Sequence, residues 1–213
     1  IGLKIGYQSH KNMVDILNWI LTKSLLIIGT TVRFTETHPI PKNTSIIFVA
    51  NHQGLFDIPP IIWYLRKYHS KFVSKIELGK GIPSISFNLK HGGAALINRK
   101  DPKQALEELK KFGQRVHDNK WSATIFPEGT RIVTGKPKKF YYNGLIMMIQ
   151  YNPKAYIVPI TINNSWKVFK YGRFPLGMFN RITIETHEPI KIESLPINEL
   201  LQKVEATVIS QIK

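Results

Sequence analysis

A histidine and an aspartate five positions apart, His52 and Asp57, stand between two apolar runs. Ser45–Ala50 reads as a buried strand. Ile58–Leu65 reads as a helix with prolines, Pro59 and Pro60, in its first turn, where a missing N–H costs little. The pair therefore falls on the loop from a strand end to a helix start, where open α/β sheets bind ligands. If the loop folds back, Asp57 can accept a hydrogen bond from one ring nitrogen of His52, fix the tautomer and leave the other nitrogen as a base. The helix start favours the ionised form of Asp57. Taken alone, the same residues are equally an N-cap and a loop histidine.

A second group follows another expected strand: Phe126-Pro127-Glu128-Gly129-Thr130-Arg131. Gly129 permits a tight turn and close approach of a ligand to the backbone. Thr130 supplies a hydroxyl and an N–H, and Arg131 a planar fork suited to phosphate. Glu128 is suited to hold Arg131 or to accept a substrate hydroxyl. By itself this is a turn with a local Glu–Arg pair. A third strand, Ala94–Asn98, delivers Arg99. If the three strands run parallel, all three groups meet at one edge of the sheet. A His–Asp pair beside two arginines suits a base that acts on the hydroxyl of a phosphorylated alcohol.

Four blocks carry a family resemblance: Asn51-His52 with Asp57, Ile97-Asn98-Arg99, Phe126 to Arg131, and Val158-Pro159-Ile160. In order and approximate spacing they resemble the glycerolipid acyltransferase family, in particular its bacterial 1-acylglycerol-3-phosphate (lysophosphatidate) acyltransferases. The resemblance covers roughly residues 40–165. It implies transfer of a fatty acyl group from acyl-coenzyme A or acyl-carrier protein to the sn-2 hydroxyl of 1-acylglycerol-3-phosphate, giving phosphatidic acid. It implies His52 as general base, Asp57 as its orienter, and Arg99, Glu128, Gly129, Thr130 and Arg131 as the acceptor site. Pro159 would shape the acyl-donor pocket. Lys75, in a Lys-x-Glu-Leu pattern of the family, would face the same pocket or stand as a surface lysine. No metal and no cofactor beyond the thioester co-substrate is implied, and the location implied is the cytoplasmic face of a bacterial inner membrane. Three departures concern donor, acceptor and membrane attachment: apolar Ile132-Val133 after Arg131, Lys138–Gly144 where the family has Phe-Lys-x-Gly, and a short N-terminal helical segment.

The elements that must position these residues can be read from periodicity. Residues 11–30 carry Met13, Ile16, Leu17, Ile20, Leu21, Leu25 and Ile28 at helical spacing, with Lys11, Asp15, Asn18 and Thr22 opposite. This predicts an amphipathic helix too polar to span a bilayer and suited either to the membrane interface or to packing on its own domain. Strands are expected at 32–37, 71–74, 94–98, 122–126, 156–162 and 182–185, and helices over 58–68, 102–116, 143–150 and 198–212. Asp101 and Pro102 are good N-cap and N1 residues. Between 75 and 92, Gly79, Gly81, Pro83 and Gly92 are expected to break any long element. The alternation predicts a single-domain α/β sandwich over residues 33–213, with a mostly parallel or mixed sheet flanked by helices. Residues 1–32 are expected to be a membrane-associating segment.

Composition bounds the alternatives. The 213 residues contain no cysteine, so disulfides, a thiol nucleophile and thiolate metal sites are excluded within them. A net charge of +16 points to an anionic partner: a lipid surface, a phosphorylated substrate or an acidic carrier protein. The sequence starts at Ile1, so a trimmed or processed start is expected, and no secretory signal is expected. One alternative keeps the enzyme and changes the acceptor to glycerol 3-phosphate or another lysolipid. A remoter one is a non-catalytic membrane- or nucleic-acid-binding domain using Tyr141, Tyr142, Trp166, Phe169 and Tyr171. The positive charge is spread along the chain, so no nucleic-acid partner is expected.

Overall fold

The computed structural model describes residues 6–80, 83–132 and 134–213. Gly81, Val133 and the first residues of the expected N-terminal segment lie outside them. The strands are β1 (Thr31–Glu36), β2 (Ile46–Ala50), β3 (Ser70–Lys75), β4 (Ala95–Ile97), β5 (Ser122–Ile125), β6 (Tyr156–Asn163), β7 (Arg181–Thr186) and β8 (Ile190–Lys191). The sheet order is β1-β7-β6-β2-β5-β3-β4, and β8 pairs with β6. From β6 through β2, β5, β3 and β4 all neighbours are parallel. β7 runs antiparallel to β6 and parallel to β1, so the sheet is mixed.

Both faces of the sheet are covered. In β2, Ile47 and Val49 point into one core with Phe112, Met148 and Val204, while Ile46, Phe48 and Ala50 point into the other with Ile61, Leu65 and Ile184. Every residue of β2 is buried, as expected for a central strand with helices on both sides. The helices are α1 (Tyr7–Ser24), α2 (Ile58–Tyr64), α3 (Pro83–His91), α4 (Pro102–Asp118), α5 (Asn143–Tyr151) and α6 (Ile197–Ser210). Asp101 caps α4, its Oδ1 accepting from Lys103 N and Gln104 N at 3.1 Å each.

Two expectations are made specific. The punctuation at 75–92 leaves short elements among the described residues, as expected. A 3-10 turn fills Ile76–Lys80, and α3 starts at Pro83 and stops before Gly92 and Gly93, the latter at φ +84°. Proline at a helix start and glycine past its end are boundary signals. α1 is the second. It starts at Tyr7, packs on α2 and continues as a 3-10 turn, Leu25–Ile28, before Gly29 at φ +65°. The side it turns inward is polar: His10, Asp15, Asn18 and Thr22 are buried, whereas Met13, Ile16, Leu17, Ile20 and Leu21 are exposed. The inward polar groups are met largely within the helix. Asn18 Nδ2 donates to Val14 O at 2.7 Å, Thr22 Oγ1 donates to Asn18 O at 2.7 Å, and Lys11 pairs with Asp15 at 2.6 Å. No helix among the described residues is long and apolar enough to cross a membrane.

Candidate active site

Because β2, β5, β3 and β4 are parallel, their C-terminal ends share one edge of the sheet. The loop after β2 brings His52 to Asp57, with Nδ1 at 2.7 Å from Oδ2. The same Oδ2 accepts Gln53 N at 2.7 Å and Gly54 N at 2.8 Å. Asp57 is 0% exposed. Oδ2 is the acceptor of both backbone N–H groups, so in its contact with the ring Nδ1 is the donor and Nε2 is left as the acceptor. The ring is set from its other side by Phe126, stacked at 4.2 Å between centroids.

The loop has little room to relax. A side chain at Gly54 would start 2.7 Å from Ser165 Oγ. Gln53 Oε1 accepts Ser165 N at 3.1 Å, and Asn51 bridges to Ile162, accepting from its N at 2.7 Å and donating to its O at 2.8 Å. The His52 carbonyl accepts Ile132 N at 2.8 Å, which ties this loop to the turn after β5.

That turn is closed by Gly129 N donating to Phe126 O at 3.0 Å, with Gly129 at φ +68°, where a side chain is strained. Its open side faces Arg99, whose Nη1 lies 4.0 Å from where a Cβ would be. Arg99 and the 128–131 turn are thus brought together. Burial holds the Arg99 guanidinium below its usual value, with Glu77 pulling it back up. Thr130 and Arg131 are exposed at the mouth of the site. Lys138 Nζ donates to Thr130 Oγ1 at 2.9 Å and to Arg131 O at 3.2 Å. Lys138, in the segment that departs from the family pattern, is a third cation of this cluster, and only its proximity across the turn reveals it.

Glu128 is buried beneath the turn, and both carboxylate oxygens lack a hydrogen-bond partner among the described residues. Desolvation pushes it up to about 8, and the charge of Asp57 adds to this; the His52 backbone and Lys138 pull the other way. Burial favours its protonated form, and it makes no salt bridge with Arg131 among those described. Lys75 ends β3 in register with Ile97, and its side chain is exposed. Pro159 is buried in β6 opposite Val49, between the parts of β6 paired with β8 and with β7, and does not line the cleft described next.

An apolar cleft of about 440 Å³ leads away from the site between α1, α2 and β3. Arg131, Leu55 and Ile58 line it, and so do Leu17, Leu21, Ile62 and Phe72; its polar lining includes Tyr7, His10, Asp15, His69 and Lys71. Burial pulls Lys71 down to about 8 and His69 down to about 4 there. Among the described residues, no group of three or more His, Asp or Glu side chains is placed to hold a metal ion.

An acyltransferase family model matches residues 31–163, the span that contains His52, Asp57, Arg99, the 128–131 turn and Lys138. The chain belongs to the acyltransferase family. Similar sequences include the 1-acyl-sn-glycerol-3-phosphate acyltransferases of Saccharomyces cerevisiae and Cocos nucifera. The first is 26% identical over 200 residues, 88% of this chain and 62% of that protein; the second is 25% identical over 199 residues, 92% and 60%. This acyltransferase-family chain therefore spans about six-tenths of the length of these relatives. Its fold is that of the crystal structure of a 1-acyl-sn-glycerophosphate acyltransferase from Thermotoga maritima. The TM-score is 0.77 at 23% identity, covering 96% of this chain and 79% of the other.

Proposed function

We propose that this chain transfers a fatty acyl group from a thioester to the sn-2 hydroxyl of 1-acylglycerol-3-phosphate at a membrane surface. The observation that carries the reading is the His52–Asp57 contact at 2.7 Å, with Asp57 buried and held by two backbone N–H groups. Nε2 takes the proton of the acceptor hydroxyl. The oxygen attacks the thioester carbonyl carbon, the C–S bond breaks, and the imidazolium returns its proton to the departing thiolate. Asp57 stabilises the imidazolium while it exists. Arg99, Arg131 and Lys138 supply positive charge for the acceptor phosphate beside the Gly129 turn. Neutral Glu128 acts as a hydrogen-bond donor beneath the turn. The apolar cleft takes a hydrocarbon chain between α1 and α2.

The relatives' names and the matched family support the acyl-transfer reading. The location at a membrane rests on α1, whose apolar side faces outward. A helix of this kind lies in the interface with that side in the acyl region. The net charge of +16 adds attraction to anionic headgroups.

The deciding assay is acyl transfer to 1-acylglycerol-3-phosphate, wild type beside His52→Ala, with acyl-coenzyme A and acyl-carrier protein as separate donors. Loss of the general base is expected to cost about 10²–10⁴-fold. Equal rates in the two proteins, or no product with either donor from folded wild type, would sink the assignment. Glycerol 3-phosphate in a parallel arm tests the acceptor.

A further inference from the structure

Among the described residues the two most exposed aromatic side chains share one loop. Between β6 and β7, Phe174 is 88% exposed and Phe179 79%, with Tyr171 and Met178 also outward. Next to them Ile27 is 86% exposed and Leu26 is exposed too, in the turn that follows α1. The two groups are in contact. Phe179 N donates to Ile28 O at 3.0 Å, and the Phe179 ring occupies the space where Gly29 has no side chain, 2.4 Å from a Cβ built there.

The loop is held rather than loose. Gly177 N donates to Val168 O at 2.9 Å, Gly172 N to Phe169 O at 2.9 Å, and Asn180 Nδ2 to Gly177 O at 3.0 Å. Thr31 N donates to Asn180 O at 2.9 Å, which fixes the loop to β1. Val168 is fully buried below it. An anchored backbone that holds aromatic rings in water has a use for them outside the molecule.

Charge and position indicate what covers this patch. Lys167, Lys170, Arg173 and Arg181 stand along the loop and Lys23 on the adjoining helix, and no Asp or Glu occurs from residue 129 to 184 or from 16 to 35. Aromatic rings ringed by cations suit an anionic lipid surface, aromatics sitting at headgroup depth. The loop leaves the C-terminal end of β6, which lies beside the C-terminal end of β2, and Phe56 of the His52 loop stacks with Phe169 at 5.8 Å. The patch is therefore on the edge of the sheet that carries His52.

We infer that the 171–179 loop, with Leu26 and Ile27, is a second membrane-inserting surface that seats the His52 edge of the sheet on an anionic bilayer. This rests on the membrane-surface reading of α1 and adds a contact to it. The bilayer is then touched at two places, and the acceptor phosphate arrives at the depth of the Arg99–Arg131–Lys138 cluster. The loop fixes tilt where a single helix leaves the domain free to roll.

The chain has no cysteine, so one introduced cysteine reports one position. Phe174→Cys, Ile16→Cys and Glu193→Cys, each in the full chain, are labelled with a polarity-sensitive fluorophore and mixed with phosphatidylglycerol-containing vesicles or with neutral phosphatidylcholine vesicles. Glu193 is the control, since it follows β8 at the opposite edge of the sheet. The expected result is a several-fold emission rise with a blue shift at positions 174 and 16, none at 193, and a weaker rise on neutral vesicles. A rise at 16 without one at 174 overturns this inference and leaves the reading of α1 standing. No rise at either position overturns both. A rise at 174 without vesicles that grows with protein concentration marks a contact between copies of the chain and also overturns it. As a second measurement, Phe174→Ser with Phe179→Ser is expected to keep micellar activity and lose several-fold on anionic vesicles; equal rates in both media count against the loop.

Discussion

Helices α1 and α6 have the same kind of periodicity and opposite orientations. In α6, Leu200, Leu201, Val204 and Val208 are buried against the sheet, while Gln202 and Lys203 face out. In α1, Asn18 and Thr22 face in and Ile16 and Ile20 face out. A spacing of three and four locates a face but not the medium on either side of it. The hydrophobic effect decides the orientation of α6 because its partner is the core. In α1 the inward Asp15, Asn18 and Thr22 bond to their own helix, so that face needs few partners from the domain and the apolar face is left for another apolar phase.

The comparison is broken most directly by putting a charge on the apolar face of each helix. Val204→Asp buries an unpaired carboxylate and is expected to cost on the order of 3–5 kcal/mol, read as a large fall in the urea midpoint. Ile16→Asp in α1 is expected to shift stability by less than about 0.5 kcal/mol. Similar losses in the two variants would mean that α1 also buries its apolar face in the protein. The next effect is on binding. Ile16→Ser and Ile20→Ser should each weaken sedimentation with anionic vesicles by roughly ten-fold if their side chains enter the acyl region, with the urea midpoint unmoved. Unchanged sedimentation would remove α1 from the membrane.

These two helices also show where reading the sequence ran out. The α/β alternation, the parallel strand ends and the His52–Asp57 contact were legible because each rests on local chemistry: an apolar run, a proline-marked helix start, and a carboxylate that can reach backbone N–H groups three and four residues before it. Arg99 and the 128–131 turn were legible as neighbours once the strands were taken as parallel. Lys138 was not, because its tie to Thr130 depends on how the intervening loop returns. Phe126 read as the last residue of a strand and is in fact the surface under the His52 ring. The two-residue β8 is too short to leave a pattern. Trp166, Phe169 and Tyr171 invited a stacking role with nucleic acid, yet Phe169 stacks on Phe56 and only the residues beyond it turn outward. Aromatic composition could not separate these fates, since they depend on which part of the loop is tied down.

The contrast between satisfied and unsatisfied inward polar groups gives the effect with the sharpest sign. Asn18 and Thr22 have partners, whereas the oxygens of Glu128 have none among the described residues. Burial raises Glu128 from 4.5 to about 8, so the folded chain binds this proton more tightly than the unfolded one. Below about 4.5 both states are protonated and the group costs nothing. As pH rises from there the unfolded state gains by releasing its proton, and stability falls until pH passes about 8, where the loss is complete. Glu128→Gln keeps the shape and removes the titration. It is therefore expected to match wild type near pH 4.5 and to exceed it at pH 9 by on the order of 1–3 kcal/mol, measured as the difference in urea midpoints at the two pH values. A wild type that gains stability over that interval relative to Glu128→Gln would mean that the carboxylate is ionised and paired, most directly with Arg131. Glu128 would then belong with the satisfied groups, and its role beneath the Gly129 turn would change from hydrogen-bond donor to anchor of the phosphate-binding arginine.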